Sequence, residues 1–196
     1  MQANGTIAEF NPFHNGHAYF IKKIKEASMN APLVVIMSGD FVQRGTPAVL
    51  SKYYRTKMAL SQGADLVIEL PVRYATSSAA DFAAAGIRML SSLPLLSGFY
   101  FGSESGNLND LTTAAKLMIK ATGTETYESA VRNALKSGIS YPGAVTMALT
   151  SYVKTLPSHP DTDISLSEDF LSAPNNLLGI EYLKSPDDHF QDIKRV

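Results

Sequence analysis

The chain contains no cysteine. That excludes disulfides and thiolate metal sites, and it fits a reducing compartment. Long hydrophobic runs are missing too. The uninterrupted apolar segments, such as Leu33 to Met37, fall far short of a membrane span. No basic stretch followed by an apolar one opens the chain, so no secretory signal is expected. These absences point to a soluble, cytoplasmic protein with no membrane partner. A strong charge of either sign is also lacking. The net charge of −1 argues against a globally basic nucleic-acid binder. What is present is an ordinary hydrophobic fraction, 45% over 196 residues, enough for the core of one domain with or without a small insertion.

The charge is unevenly spread. Residues 1–60 carry seven basic groups (Lys22, Lys23, Lys25, Arg44, Lys52, Arg55, Lys57) against three acidic ones (Glu9, Glu26, Asp40), a surplus of +4. Residues 61–130 stand at −3 and residues 131–196 at −2. The positive share surrounds the most distinctive segment of the chain, Glu9-Phe10-Asn11-Pro12-Phe13-His14-Asn15-Gly16-His17. Such a surplus suits an anionic ligand. For Lys22, Lys23 and Lys25 the plainer reading is the wet face of a helix.

That segment follows the first apolar run and precedes an amphipathic stretch, Ala18 to Ala27. Two histidines with a glycine between them therefore fall on a strand-to-helix turn, where an α/β protein offers backbone N–H groups and a positive dipole end to a phosphate. Asn11-Pro12 is expected to end the strand, because proline cannot donate to a ladder. Gly16 leaves room for a ligand to approach. The spacing His-x-Gly-His resembles the first signature of the nucleotidylyltransferase superfamily. Its chemical logic is charge: attack on the α-phosphate of ATP builds negative charge there and on departing pyrophosphate, and hydrogen-bond donors aimed at those oxygens lower the barrier. His14 and His17 are the candidate catalytic residues. A metal pair and a simple capping-and-packing role are the alternatives. No metal site is expected, since the remaining histidines, His159 and His189, are far away in sequence.

The first hundred residues alternate strand and helix signals. Strands are expected at Gly5 to Phe10, Leu33 to Met37, Asp65 to Leu70 and Gly98 to Phe101. Helices are expected at His17 to Ser28, Ser51 to Gln62 (with Ser51 as N-cap) and Ser78 to Ser92. The rhythm predicts an α/β fold, a Rossmann-like parallel sheet of about five strands with right-handed crossovers. From Leu108 the pattern turns helical, with helices at Leu111 to Ala121, Glu125 to Lys136, Ala144 to Val153 and Asn175 to Lys184. Residues 156–166 read as a polar loop, and Ile193 to Val196 as the fifth strand. The expected organisation is a nucleotide-binding core over 1–120, a helical insertion over 121–174, and a helix and strand over 175–196 returning to the core. A chain that stops on such a strand is expected to lack a C-terminal part.

Four blocks resemble one bacterial family, the tRNA(Met) cytidine acetate ligases. They are Glu9 to His17; Met37-Ser38-Gly39-Asp40-Phe41-Val42-Gln43-Arg44-Gly45-Thr46-Pro47-Ala48 with Ser51-Lys52 and Arg55-Thr56-Lys57-Met58-Ala59-Leu60; Gly63 to Pro71 with Phe101-Gly102-Ser103-Glu104; and Pro174 to Tyr182 with Ile193-Lys194-Arg195. The resemblance implies an enzyme, a ligase that activates acetate with ATP to acetyl-adenylate and passes the acetyl group to the wobble cytidine of elongator tRNA(Met). ATP would be a substrate, with magnesium its permitted companion.

The resemblance also implies ATP contacts from Ile7, Ala8, Glu9, Phe10, Asn11, Pro12, Phe13, His14, Asn15, Gly16, His17, Ala18, Tyr19 and Phe20. Gly102, one of Asn175 and Asn176, and Arg195 would join them. The residue chemistry agrees. A strand-end glycine lets a nucleotide pass close to the backbone, an asparagine offers a donor and an acceptor to adenine, and an arginine fork suits phosphate. An ordinary turn, a helix cap and a surface arginine remain the alternatives. Asp40, Gln43 and Arg44 line the acetate or cytidine site, or form a solvated loop. The family continues past the position of Arg195 and carries a second phosphate loop, which this sequence does not show. That leaves open a small-metabolite nucleotidylyltransferase, or a nucleotide-binding module without turnover.

Overall fold

The structure is a computed structural model that describes residues 2–156, 168–185 and 192–195, the last group by backbone alone. His159, His189 and the polar loop expected from Pro157 onward lie outside the described residues. The chain forms two compact units, Met1–Gly102 with Ser185–Val196, and Ser103–Lys184.

In the first unit, strands β1 (Ala3–Ala8), β2 (Leu33–Ser38), β3 (Leu66–Leu70) and β4 (Leu96–Phe101) alternate with helices α1 (Asn15–Ala27), α2 (Lys52–Ser61), α3 (Val72–Ala75) and α4 (Ala79–Ser91). A short strand, β5 (Asp192–Arg195), completes the order β3-β2-β1-β4-β5, with every pairing parallel. The layer is thus a four-stranded body with a short edge strand, rather than five comparable strands. Strand β2 is buried along its whole length, as its unbroken apolar run requires of a strand covered on both faces.

The two faces separate cleanly. Ile21 and Ile24 of α1 and Ala59 of α2 pack with Leu33, Val35 and Met37 of β2 in one core cluster. Burying isoleucines of this kind contributes about 1.5–3 kcal/mol each. On the opposite face α4 lies almost directly on β1. A Cβ added to Gly5 would sit 2.7 Å from Leu90, and one added to Gly86 would run into Ile7. These two glycines set the helix–sheet distance.

Several boundaries differ from the sequence expectation for identifiable reasons. Strand β1 ends at Ala8 rather than Phe10, because Phe10 adopts φ 49° and turns its buried ring into the α1-side core. Helix α1 starts at Asn15 rather than His17, with His14 as its cap. Ser51 precedes α2 but makes no side-chain cap bond. Ser78 caps α4 by accepting from the Asp81 N–H at 3.2 Å. Lys25 is not on the wet face of α1: its ammonium meets Asp65 at 2.5 Å and the carbonyl of Ala31 at 3.0 Å. The one-turn helix α3 had no periodicity to announce it.

The second unit is helical: α5 (Leu108–Ala121), α6 (Glu125–Lys136), α7 (Tyr141–Thr155), α8 (Glu168–Ser172) and α9 (Pro174–Lys184). Helix α5 starts earlier than expected because Asn107 Oδ1 accepts from the N–H groups of Asn109 and Asp110. Helix α7 starts earlier because proline is accepted in a first turn.

Candidate nucleotide site

The order β3-β2-β1-β4 reverses direction between β1 and β4, and the carboxyl ends of those strands are where an open parallel sheet binds ligands. The turn after β1 carries Glu9 to His14, with a cis Asn11–Pro12 peptide. The end of β4 carries Gly102. Arg195 pairs with Phe101 across β4 and β5. The sheet therefore gathers the histidine turn, Gly102 and the backbone of Arg195 on one edge. Asn175 and Asn176 belong to the second unit.

The histidines cap α1 reciprocally. His14 Nδ1 accepts from the Gly16 N–H at 3.1 Å, and the His14 N–H donates to His17 Nδ1 at 3.3 Å. This is a capping box built from two imidazoles. Backbone amides can only donate, so both Nδ1 atoms are unprotonated acceptors. Each neutral ring then carries its proton on Nε2, and each Nε2–H remains a donor without a partner among the described residues. The rings stack with centroids 3.7 Å apart, and His17 also leans on Phe10 at 4.9 Å and Phe13 at 5.5 Å. Burial first, and the neighbouring His14 second, push the His17 pKa down to about 4. His17 is therefore a neutral donor near pH 7. The first turn of α1 holds no acidic residue, so its dipole end is not quenched from within.

Gly16 is needed for a reason the sequence did not reveal. An added Cβ would lie 2.9 Å from His14 Cε1. The space belongs to the His14 ring itself. Gly102, by contrast, is exposed, and a Cβ there would meet nothing within 4 Å.

The loop after β2 is tied to the histidine turn. Glu9 Oε1 accepts from the Gln43 N–H, and Asn11 Oδ1 from the Val49 N–H, both at 2.7 Å. Asp40 accepts from the Lys52 N–H at 3.2 Å and lies 3.6 Å from its ammonium, which also grips both oxygens of Glu69. Arg44 is exposed and in no ion pair among the described residues. Of the three residues expected at an acetate or cytidine site, Asp40 and the Gln43 backbone are thus engaged in holding the loop, and Arg44 is free.

Sequence reasoning missed Arg55. It is fully buried, yet it sits on a helix of polar composition. Its guanidinium donates to the carbonyls of Leu50, Glu9, Ser38 and Gly39, which end strands β1 and β2 and precede α2. The signal available was position: Arg55 and Ala59 are four apart, on the one face of α2 that turns inward.

In the second unit Glu104 caps α9. Its carboxylate accepts from the Asn175 N–H at 3.1 Å, from Asn175 Nδ2 at 2.8 Å and from the Asn176 N–H at 2.8 Å. Asn176 is only 2% exposed and both ends of its amide are used: Oδ1 accepts from the Ser105 N–H, and Nδ2 donates to the Phe170 carbonyl. Asn175 is exposed and its Oδ1 has no partner among the described residues.

Among the described residues no group of three His, Asp or Glu side chains is placed to hold a metal ion, and no helix is long and apolar enough to cross a membrane.

A helix start with no acidic residue in its first turn, at the switch point of a parallel sheet, is an arrangement found in nucleotide-binding α/β proteins. The chain belongs to the HIGH nucleotidyl transferase family, whose model matches residues 1–196. It is similar to proteins named tRNA(Met) cytidine acetate ligase. The one from Thermoanaerobacter pseudethanolicus is 45% identical over 92% of this chain and 42% of its own length. The one from Clostridium acetobutylicum is 42% identical over 94% of this chain and 45% of its own. Among solved structures, Thermotoga maritima TmcAL bound with alpha-thio ATP superposes with a TM-score of 0.79 at 34% identity, covering 100% of this chain and 47% of that one. The chain thus spans under half the length of these relatives.

Proposed function

We propose that this chain is the adenylate-forming part of a tRNA(Met) cytidine acetate ligase. The observation that carries the reading is the histidine capping box at the switch point, with two Nε2–H donors fixed by backbone amides. The similarity to relatives of that name, and to a structure holding an ATP analogue, supports it.

ATP is the substrate, bound along Ile7 to Phe20 and at Gly102, with Asn175 and Arg195 as further contacts. An acetate oxygen attacks the α-phosphorus, and the bond to the β-phosphate bridging oxygen breaks. Pyrophosphate leaves and acetyl-adenylate remains. His14 and His17 donate to oxygens that gain charge during that attack, and the unquenched end of α1 adds to the same field. The exocyclic amine of the wobble cytidine then attacks the acetyl carbon, AMP leaves, and the amine proton is lost. Magnesium would arrive with the nucleotide phosphates. Asp40, Gln43 and Arg44 stand near the acetate or cytidine end of this reading, with Arg44 the one free side chain.

The test is acetate-dependent exchange of labelled pyrophosphate into ATP, catalysed by the protein. His17→Ala is expected to slow exchange about 10²–10³-fold with a smaller change in ATP affinity. Exchange at the wild-type rate in that variant would remove His17 from the mechanism. Exchange that does not depend on acetate would favour a small-metabolite nucleotidylyltransferase.

A further inference from the structure

The three helices that follow β1, β2 and β3 each place a tyrosine beside a cation. Lys23 Nζ lies 5.5 Å from the Tyr19 ring on α1, Lys52 Nζ 5.8 Å from the Tyr53 ring on α2, and Arg73 Cζ 5.0 Å from the Tyr74 ring on α3. Because all three strands are parallel, all three helix starts lie at the carboxyl edge of the sheet, the edge that carries the histidine turn. The anchoring of α2 confirms its place there, since Lys52 binds Glu69 at the end of β3 and Arg55 binds the carbonyls of Glu9 and Gly39.

Tyr74 is half-buried, whereas the tyrosines of α1 and α2 are exposed. Tyr19 is 62% exposed, Tyr53 71% and Tyr54 62%. Two adjacent tyrosines on a ten-residue helix are thus mostly exposed, and neither is among its buried residues, Arg55 and Ala59. The local charge is complementary to a polyanion. The carboxylates of α1, of the loop after β2 and of β3 are each held by a lysine: Glu26 by Lys23, and Asp40 and Glu69 by Lys52. Glu9 is committed to the Gln43 N–H. Arg44, Lys57 and Arg73 are exposed and in no ion pair among the described residues.

We infer that this edge, centred on Tyr53 and Tyr54, is a stacking platform for unpaired bases of an RNA loop, with Lys57 and Arg73 taking flanking phosphates. Aromatic faces accept splayed-out bases that a duplex keeps inside its stack, and the neighbouring cations follow the backbone. The platform explains how a chain near electrical neutrality holds RNA: stacking supplies what net charge does not. The inference rests on the proposed reading only in choosing RNA over DNA.

The test is fluorescence anisotropy of a labelled anticodon stem–loop RNA with the 196-residue chain at low salt, beside a blunt RNA duplex of equal length. The loop RNA is expected to bind more tightly than the duplex. Tyr53→Ala with Tyr54→Ala should weaken it by about fivefold to a hundredfold per lost base contact, with an unchanged melting temperature. Lys57→Ala should instead lower the salt slope by about one. Arg88→Ala, exposed on the opposite-face helix α4, should change nothing. Four results would each overturn the platform: no loop binding by the wild type, equal binding of loop and duplex, unchanged affinity in the tyrosine variant, or self-association of the wild type that the tyrosine variant abolishes. A parallel ATP titration separates the two ideas. Tyrosine-dependent loop binding without ATP binding would leave the platform standing and remove the adenylate-forming reading.

Discussion

Arg55 Nη1 donates to the main-chain carbonyl of Glu9 at 2.6 Å. Glu9 is the residue before Phe10, the left-handed position that redirects the chain from β1 toward the histidines. The same guanidinium holds the carbonyls at the end of β2. A buried cation whose hydrogen bonds go to carbonyls is costly to place: burial pulls its pKa below the usual arginine value, and the nearby carboxylates of Asp40, Glu9 and Glu69 offset part of that. Arg55 holds four carbonyls at once, those of Ser38 and Gly39 in buried positions and those of Glu9 and Leu50 in half-buried ones, and buried acceptors need donors.

Arg55→Met should therefore destabilise the first unit by about 2–4 kcal/mol, the cost of leaving two buried and two half-buried acceptors without this donor. Arg55→Lys should recover only part of this, because a single ammonium cannot reproduce the planar fork. Urea midpoints of the three proteins test it. A methionine variant as stable as the wild type would mean that the arginine is dispensable for the fold.

His17 makes stability depend on pH. Its pKa lies near 4 in the folded protein and near the ordinary 6.5 when unfolded. Between those values the unfolded chain binds more protons, so stability rises with pH across that window. The contribution is complete above about pH 6.5 and is lost as pH falls toward 4. Urea midpoints measured from pH 4 to 7 should show a steeper acid-side fall in the wild type than in His17→Gln. Equal slopes would show that His17 titrates normally in the folded state.

Two glycines with opposite surroundings should respond oppositely to alanine. At Gly86 the new methyl collides with Ile7 beneath α4, and overpacking of this kind costs about 1–3 kcal/mol. At Gly102 the methyl enters open space at the end of β4. Gly102→Ala should keep the wild-type melting temperature and, on the proposed function, weaken ATP binding. Unchanged affinity by calorimetry would take Gly102 out of the nucleotide site.

The parallel α/β layer was legible because β2 is an unbroken apolar run and the helices between strands carry caps and breaks that sequence alone exposes. The histidine turn was legible as a strand-to-helix junction. Its chemistry was not, because the tautomers follow from which backbone amides reach each Nδ1, a fact of three-dimensional geometry. Arg55 was invisible for a related reason: a charged residue on a polar helix reads as surface, and only tertiary carbonyls reveal otherwise. Phe10 looked like the end of a strand because its apolar side chain fits that pattern, while its backbone conformation is imposed by the turn. The Asn175-Asn176 pair could not be divided by sequence, since two identical side chains differ here only in burial.

That division yields the last prediction. Asn176 is buried and spends both ends of its amide on Ser105 and Phe170. Replacing it with alanine removes both hydrogen bonds of a buried amide, one to the Ser105 N–H and one to the Phe170 carbonyl, for about 1–3 kcal/mol. Asn175 is exposed and gives up only its bond to Glu104, which the backbone N–H of the same residue also serves. Its replacement should cost under about 1 kcal/mol, as for an ordinary solvent-facing hydrogen bond. The resemblance assigns one asparagine of this pair to ATP, and the free Oδ1 makes Asn175 the candidate. Asn175→Ala should therefore weaken ATP binding at an unchanged melting temperature, while Asn176→Ala should lower the melting temperature first. If Asn176→Ala melts like the wild type and binds ATP poorly, the roles are the reverse of those argued from burial.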